Sequence, residues 1–163
     1  MPKKKFIAIL HDIRSVHNVG SIFRTADGAG FSHIYLTGIT PEPKDRFGNI
    51  RSDFRKVSLG AEENILWEHK KSIIPLLKKL KKENWFVIAL EQGKGSIGME
   101  KTRKLIKNKN KIALIAGNEV DGIPEKVFPY VDAIMELPMR GKKESLNVSV
   151  AFGIAAYGTF SQN

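Results

Sequence analysis

The 163-residue chain contains no cysteine, which excludes disulfide bonds and thiolate metal sites. Its four histidines, at positions 11, 17, 33 and 69, do not have the spacing of metal ligands, so we expect no metal. No apolar run approaches the roughly 20 residues that span a bilayer, and the N-terminal segment is too short for a signal peptide. These absences predict a cytoplasmic protein outside membranes.

Acidic residues are scarce relative to basic ones. The chain carries 27 Lys and Arg against 17 Asp and Glu, which gives a formal net charge of +10. Basic residues cluster at 3–5, 78–82, 101–111 and 140–143. An excess of this size favours a polyanionic partner, above all nucleic acid. A lysine-rich surface that only keeps the protein soluble would give the same composition, so charge alone leaves both explanations open.

Common hydrolase and nucleotide-binding signatures are also missing. The sequence has neither a G-x-S-x-G elbow nor a Walker A loop. One dinucleotide-type match, GKGSIG at 93–98, follows a predicted strand and precedes a predicted helix. That helix begins with Met99 and Glu100, which places a carboxylate where a pyrophosphate needs positive potential. We therefore favour a flexible loop here and keep a nicotinamide-dependent oxidoreductase as a weaker alternative.

Apolar runs of strand length alternate with helical stretches along the chain. Strands are predicted at 6–13, 33–39, 85–91, 111–117 and 133–138. Helices are predicted at 19–30, 73–83, 99–108, 124–131 and from about residue 145. The alternation predicts an α/β fold, a mostly parallel sheet with helices on both faces, in a single domain over residues 1–163. Residues 40–66 give the weakest signal.

In a parallel sheet, ligands bind beyond the carboxyl ends of the strands, so the loops there are the candidate sites. Three loops carry suitable polar side chains: 17–24, 117–124 and 138–147. Each also has a purely structural explanation. Asn18 and Ser145 would be ordinary helix N-caps, and Arg24 a solvated helix residue.

Together the three loops resemble the motifs of the SpoU-type RNA ribose 2′-O-methyltransferases of the SPOUT superfamily. The first motif, an Asn followed by a helix with an Arg, is similar to NVGSIFRTADGAG at 18–30. The second is similar to GNEVDGI at 117–123, and the third to LPMRGKKESLNVSVAFGIAAYG at 137–158. The motifs occur in the family's order, and the similarity covers nearly the whole chain.

The resemblance implies transfer of a methyl group from S-adenosylmethionine to a ribose 2′-hydroxyl of RNA. It further implies a C-terminal deep trefoil knot and a homodimer whose subunits jointly form the active site. The small residues of the last helix would then pack closely against the knot and the partner subunit. The implied catalytic residues are Asn18, Arg24, Glu119, Ser145 and Asn147. The implied cofactor-binding residues are Leu90, Glu91, Gly117, Leu137, Met139, Ser145 and Leu146.

Within this set, the resemblance implies that Arg24 contacts the reacting hydroxyl. A guanidinium is effectively always charged, so a role as the general base is physically awkward. We expect Arg24 to bind a neighbouring phosphate or to stabilise the developing alkoxide, with the proton passed onward.

RNA contacts are expected on the domain surface, because only a few residues precede the first predicted strand. That start predicts a bare catalytic domain without the N-terminal RNA-binding domain that many family members carry. The expected contacts are Arg24, Lys44, Arg46, Arg51, Arg55, Arg140, Lys142 and Lys143. The small size favours transfer RNA over ribosomal RNA. A non-catalytic RNA-binding module of the same fold is the main alternative, and the complete set of catalytic-type residues argues against it.

Overall fold

Six strands and six α-helices make up the fold in the computed structural model, which describes residues 3–160. The strands are β1 (Lys5–His11), β2 (His33–Thr37), β3 (Leu66–Lys70), β4 (Phe86–Leu90), β5 (Lys111–Ala116) and β6 (Ala133–Met135). The helices are α1 (Val16–Gly28), α2 (Ser52–Ser58), α3 (Ala61–Asn64), α4 (Ile73–Lys82), α5 (Met99–Ile106) and α6 (Val148–Ala155). A 3-10 helix spans Glu125–Tyr130, and a π-helical turn spans Ala156–Phe160.

The strands form one parallel sheet in the order β3-β2-β1-β5-β4-β6. Consecutive residues of a strand point to opposite faces, and each face has its own core. In β1, Ile7 and Ile9 pack with α4 and the 3-10 helix, whereas Ala8 and Leu10 pack with α1 and α6. Helices therefore cover both faces. The predicted α/β fold with a parallel sheet is confirmed.

Several elements end earlier than the sequence predicts. The first strand stops at His11 because Asp12 adopts a left-handed backbone conformation, with φ of 52°. The last predicted strand is only three residues long. The helix predicted at 124–131 is a 3-10 helix, and Pro124 is its N-cap, not its first helical residue. Pro129 lies inside this segment and has no N–H for an α-helical hydrogen bond.

The region 40–66 contains structure that the sequence did not reveal. It holds α2, α3 and the start of the edge strand β3, which pairs with β2. The charged and polar residues of β3 hide its strand character, because an edge strand needs less apolar surface than a central one.

The last helix begins at Val148, three residues later than expected, because the side chain of Asn147 caps it. Its small residues allow close contacts inside the same chain. A Cβ on Gly153 would lie 3.6 Å from Cγ2 of Thr25 in α1. A Cβ on Gly158, in the π-helical turn, would lie 2.8 Å from Sδ of Met99 in α5. Packing of this helix against a knot or a partner subunit stays a prediction.

None of the helices within residues 3–160 is long and apolar enough to cross a bilayer. In the same range, no group of three or more His, Asp or Glu side chains could hold a metal ion. The trefoil knot, the single-domain organisation and the cytoplasmic location stay predictions.

Candidate active site

A cavity of about 460 Å³ opens at the carboxyl ends of β4, β5 and β6. Its walls are the three loops that follow these strands, together with the first turn of α6. A volume of this size is typical of small-molecule sites. All seven residues predicted to bind the cofactor line this one cavity: Leu90, Glu91, Gly117, Leu137, Met139, Ser145 and Leu146.

Asn118 shapes the turn that follows β5. Its Oδ1 accepts hydrogen bonds from the N–H groups of Val120 (2.8 Å) and Asp121 (2.9 Å). Its Nδ2 donates to the main-chain oxygen of Asp12 at the end of β1, at 2.7 Å. The cavity wall is thereby fixed to the neighbouring strand. Asn118 is not among the site residues predicted from the sequence, although it is a polar residue directly after a buried strand, which is a signal for such a role.

Glu91 joins the loop after β4 to the loop after β5. One carboxylate oxygen accepts the N–H of Gln92 at 2.9 Å, and the other accepts the N–H of Ile123 at 3.0 Å. Gly122 lies directly against this carboxylate with φ of 68°, and a Cβ there would collide with it. The side chain of Glu91 therefore holds the wall of the cavity together.

Gly117 lies where the two sides of the β5 loop approach most closely. A Cβ on this residue would lie 2.7 Å from Cγ1 of Ile123 and 2.8 Å from the main-chain carbonyl atoms of Gly122. Real Cβ atoms do not approach backbone this closely, so the loop requires glycine here.

Three polar side chains from distant parts of the chain form a hydrogen-bonded relay beside the cavity. Asn18 Nδ2 donates to Glu119 Oε1 at 3.2 Å, and Asn147 Nδ2 donates to Asn18 Oδ1 at 3.1 Å. Glu119 also accepts the main-chain N–H groups of Arg14 and Ser15, both at 3.1 Å. The relay connects the β5 loop, the start of α1 and the start of α6. It brings together three of the five predicted catalytic residues.

The carboxylate of Glu119 stays ionised in this setting. Burial raises its pKa, but the hydrogen bonds from Arg14, Ser15 and Asn18 outweigh burial, and the pKa lies below its ordinary value. The negative charge also lies at the N-terminal end of α1, where the helix dipole is positive. Glu119 is therefore suited to fix α1 against the cavity.

The N-caps of α1 and α6 are not Asn18 and Ser145, the two cap residues suggested by the sequence. Asn18 lies inside the first turn of α1, and the N-cap is Ser15, whose Oγ accepts the N–H of Asn18 at 3.1 Å. For α6 the cap is Asn147, whose Oδ1 accepts the N–H of Ser149 at 2.9 Å. Ser145 is exposed in the preceding loop and lines the cavity. Ser145 is therefore a residue of the cavity wall and not the cap of α6.

Arg24 lies apart from the other predicted catalytic residues. It is exposed on α1 and does not line the cavity, and its side chain makes no hydrogen bond or ion pair within residues 3–160. Its positive charge is therefore available to a ligand or to another chain.

The basic residues predicted to contact RNA near α2 fall into two kinds. Arg51 forms an ion pair with Asp53 (3.0 Å), and Arg55 pairs with Glu62 (3.4 Å) and Glu63. Lys44 and Arg46 lie on the loop between β2 and α2 and pair with no carboxylate in the described part of the chain.

The other three predicted contacts, Arg140, Lys142 and Lys143, are exposed on the loop that follows β6. Lys142 and Lys143 adjoin Ser145 in a shallow depression next to the cavity. Their charge lies at the mouth of the candidate site, where a polyanionic substrate would approach.

The dinucleotide-type segment 93–98 does not line the cavity. Its residue Ile97 pairs with β6, donating to the main-chain oxygen of Ile134 at 2.8 Å and accepting from Glu136 at 2.9 Å. The segment is thus tied to the sheet as a structural connection, which gives no support to a nicotinamide site.

The chain is similar to known proteins over nearly its whole length. Residues 5–157 match the model of the SpoU rRNA methylase family. The chain is 30% identical over 159 residues to the 23S rRNA (guanosine-2′-O-)-methyltransferase RlmB of Escherichia coli K12, covering 96% of this chain and 60% of that protein. It is 32% identical over 158 residues to the putative TrmH family tRNA/rRNA methyltransferase YacO of Bacillus subtilis, covering 97% and 59%. Among solved structures, the AdoMet-bound rRNA methyltransferase from Sinorhizobium meliloti superposes with a TM-score of 0.82 at 25% identity, covering 97% and 56%. The chain thus spans about 60% of the length of the curated relatives it matches.

Proposed function

Because this chain belongs to the SpoU rRNA methylase family, we propose that it transfers a methyl group from S-adenosylmethionine to a ribose 2′-hydroxyl of RNA. The observation that carries this proposal is the cavity whose walls are the second and third motif loops. The Escherichia coli relative supports the proposed reaction, since that enzyme is a guanosine-2′-O-methyltransferase.

The cavity suits S-adenosylmethionine in size and in lining. Leu137, Met139 and Leu146 offer apolar contacts for an adenine ring, and the lack of a side chain at Gly117 brings main-chain groups to the cavity. Glu119 and Asp121 in the wall favour a cationic ligand. When bound, the cofactor supplies an activated methyl group on a sulfonium. The chain's own task is to hold it in line with the hydroxyl, which contributes several kcal/mol through positioning.

Arg24 acts on the hydroxyl side of the reaction. It carries a permanent positive charge without a carboxylate partner in the described residues, so it can bind a substrate phosphate or stabilise a developing alkoxide. Replacement of Arg24 by Ala should abolish methyl transfer and leave S-adenosylmethionine affinity, measured by calorimetry, within about a few-fold of wild type. Unchanged turnover would remove Arg24 from the mechanism.

The active site is proposed to be shared by two copies of the chain. Val150 and Ile154 lie four residues apart on one side of α6, Tyr157 follows in the π-helical turn, and the three side chains are 41–55% exposed. Such an exposed apolar stripe is typical of a subunit interface. A second copy packed there would bring its own Arg24 towards a cavity that lacks this residue.

Co-expression of two defective variants tests the shared site. Arg24→Ala keeps an intact cavity, and Met139→Trp fills the cavity but keeps Arg24. A mixed dimer of the two would contain one complete site and recover part of the activity, whereas each variant alone stays inactive. Failure to recover activity in a mixed dimer, verified by two affinity tags, would place Arg24 and the cavity in one subunit.

RNA is proposed to bind at the carboxyl edge of the sheet, over Arg140, Lys142 and Lys143 and the loop with Lys44 and Arg46. Contacts of this kind with phosphates make affinity fall steeply with salt. Equal RNA affinity at low and moderate salt would refute a basic binding surface.

The central experiment is mass spectrometry of nucleosides from separated transfer RNA and ribosomal RNA, with and without the gene. We expect one 2′-O-methylated nucleoside to disappear from one of the two fractions, and we propose that it is the transfer RNA fraction. Calorimetry with S-adenosylmethionine and with NADH separates the alternatives. Binding of neither ligand would favour a non-catalytic RNA-binding module and end the methyltransferase proposal.

A further inference from the structure

An aromatic side chain stands exposed on the loop between β2 and α2. Phe47 is 73% exposed, although a phenylalanine gains stability from burial. The RNA contacts predicted from the sequence are all basic side chains, which are suited to phosphate. A free aromatic face beside them offers a different kind of contact.

The main chain that carries this ring forms an ordered turn. Asp45 Oδ1 accepts the N–H groups of Phe47 (2.8 Å) and Asn49 (3.0 Å), and the main-chain N–H of Asp45 donates to the oxygen of Asn49 at 2.9 Å. Lys44 pairs with Ile50 as an antiparallel bridge that closes the loop. Because the main chain of the turn is already ordered, binding of a ligand to the ring costs little conformational entropy in this loop.

The surroundings of the ring favour a nucleobase over an apolar protein surface. The guanidinium carbon of Arg46 lies 4.7 Å from the centroid of the Phe47 ring, so a cation covers one face. The segment 44–56 carries five basic and two acidic residues, and neither Arg46 nor Lys44 is paired with a carboxylate in the described residues. A base can stack on the remaining face or on the guanidinium plane, while its phosphate meets the positive charge.

The loop that carries the ring begins at the same edge of the sheet as the cavity. The loop follows β2, and the carboxyl end of β2 lies at the same edge of the parallel sheet as those of β4, β5 and β6. Only β1 separates β2 from β5, a spacing of about 10 Å across two strand intervals. An RNA strand that enters the cavity can therefore extend across this loop.

We propose that Phe47 and Arg46 form a stacking site for an unpaired nucleobase of the RNA substrate. The proposal rests on the proposed function in that the ligand is RNA. It adds a contact that recognises single-stranded RNA, since bases inside a duplex cannot reach the ring.

The test compares two RNA probes, a labelled oligoadenylate of about 12 nucleotides and the same strand annealed to oligouridylate. Phe47→Ala should weaken binding of the single strand roughly 5- to 100-fold and leave duplex binding unchanged. Phe47→Trp should keep the affinity, and Phe47→Leu should behave like Phe47→Ala, because stacking needs a flat ring. Leu66→Ala removes a side chain that is 70% exposed on β3 and serves as the matched control.

The outcomes of this experiment test the stacking site and the proposed function separately. Methyl transfer and S-adenosylmethionine binding are measured on the same wild-type preparation. Wild-type methylation together with full single-strand affinity in Phe47→Ala would refute the stacking site and leave the proposed function standing. A changed sedimentation mass of Phe47→Ala with unchanged RNA affinity would show that the ring contacts protein, which also refutes it. Absence of methylation by wild type would count against the proposed function alone.

Discussion

Replacement of Glu119 by Gln removes the negative charge from the carboxylate that is the last acceptor of the relay. Glu119 accepts three hydrogen bonds, from Arg14, Ser15 and Asn18. Glutamine has one acceptor oxygen and an amide that donates, so at least one of these donors loses its partner. Hydrogen bonds to a charged acceptor contribute about 1.5–3 kcal/mol, and solvent reduces this at an exposed site. We expect the free energy of unfolding at pH 7 to fall by about 1–2 kcal/mol, or roughly 2–8 °C in Tm.

The pH dependence of this difference gives the sharper assay. The folded-state pKa of Glu119 is lowered, so its stabilisation is present above the unfolded-state pKa of about 4.3. The stabilisation is lost as the pH falls through the lower folded-state value. Urea unfolding of wild type and Glu119→Gln from about pH 7 to about pH 3 should therefore show a constant gap that closes below about pH 4.3.

Glu144→Gln is the matched control for this experiment, because Glu144 is exposed near the cavity and makes no hydrogen bond or ion pair in the described residues. Its stability should follow that of wild type across the pH range. A Glu119→Gln variant as stable as Glu144→Gln at pH 7, or a gap independent of pH, would refute the reasoning.

Three further changes test the surroundings of the cavity. Gly117→Ala should lower the free energy of unfolding by about 1–3 kcal/mol because its Cβ meets backbone, whereas Gly141→Ala, with no atom within 4 Å, should leave denaturant unfolding unchanged. Asn118→Asp should cost about 1–3 kcal/mol in the same assay, because it sets a carboxylate oxygen against the main-chain oxygen of Asp12. Burial lowers the pKa of His11 in the folded state. As the pH falls below about 6.5, the unfolded state therefore binds a proton before the folded state does. Wild type should therefore lose stability relative to His11→Gln between about pH 7 and about pH 5, and a pH-independent difference would contradict this.

The parallel sheet could be predicted because its central strands are apolar at consecutive positions. The run 6–13 covers all of β1 except its first residue, and the run 111–117 contains β5; both strands are buried on both faces. The edge strand β3 could not be found in this way, since its Glu68, His69 and Lys70 are half-exposed and fit no strand pattern. The order of the strands depends on packing between residues far apart, which no local pattern records.

The residues that line the cavity could be predicted from the motifs. The hydrogen bonds that hold the motif loops together could not. The hydrogen bond between Asn18 and Glu119 joins residues 101 positions apart, and that between Asn147 and Asn18 joins residues 129 apart. Local propensity favours Ser145 and Asn147 equally as caps, and only the bond to Asn18 distinguishes them. The choice of cap is thus made by tertiary structure.

The geometry of α1 explains why two residues of the first motif, Asn18 and Arg24, point in different directions. Asn18 and Arg24 both lie in α1, six positions apart, which at about 100° per residue separates their directions by about 120°. Asn18 points to Glu119 and the cavity of its own chain, so Arg24 must point elsewhere. The next residue, Thr25, faces Gly153 of α6, the helix whose outer side carries Val150 and Ile154. Arg24 directly precedes Thr25, so we propose that it borders the apolar surface of Val150 and Ile154, where a second copy would present its cavity to it.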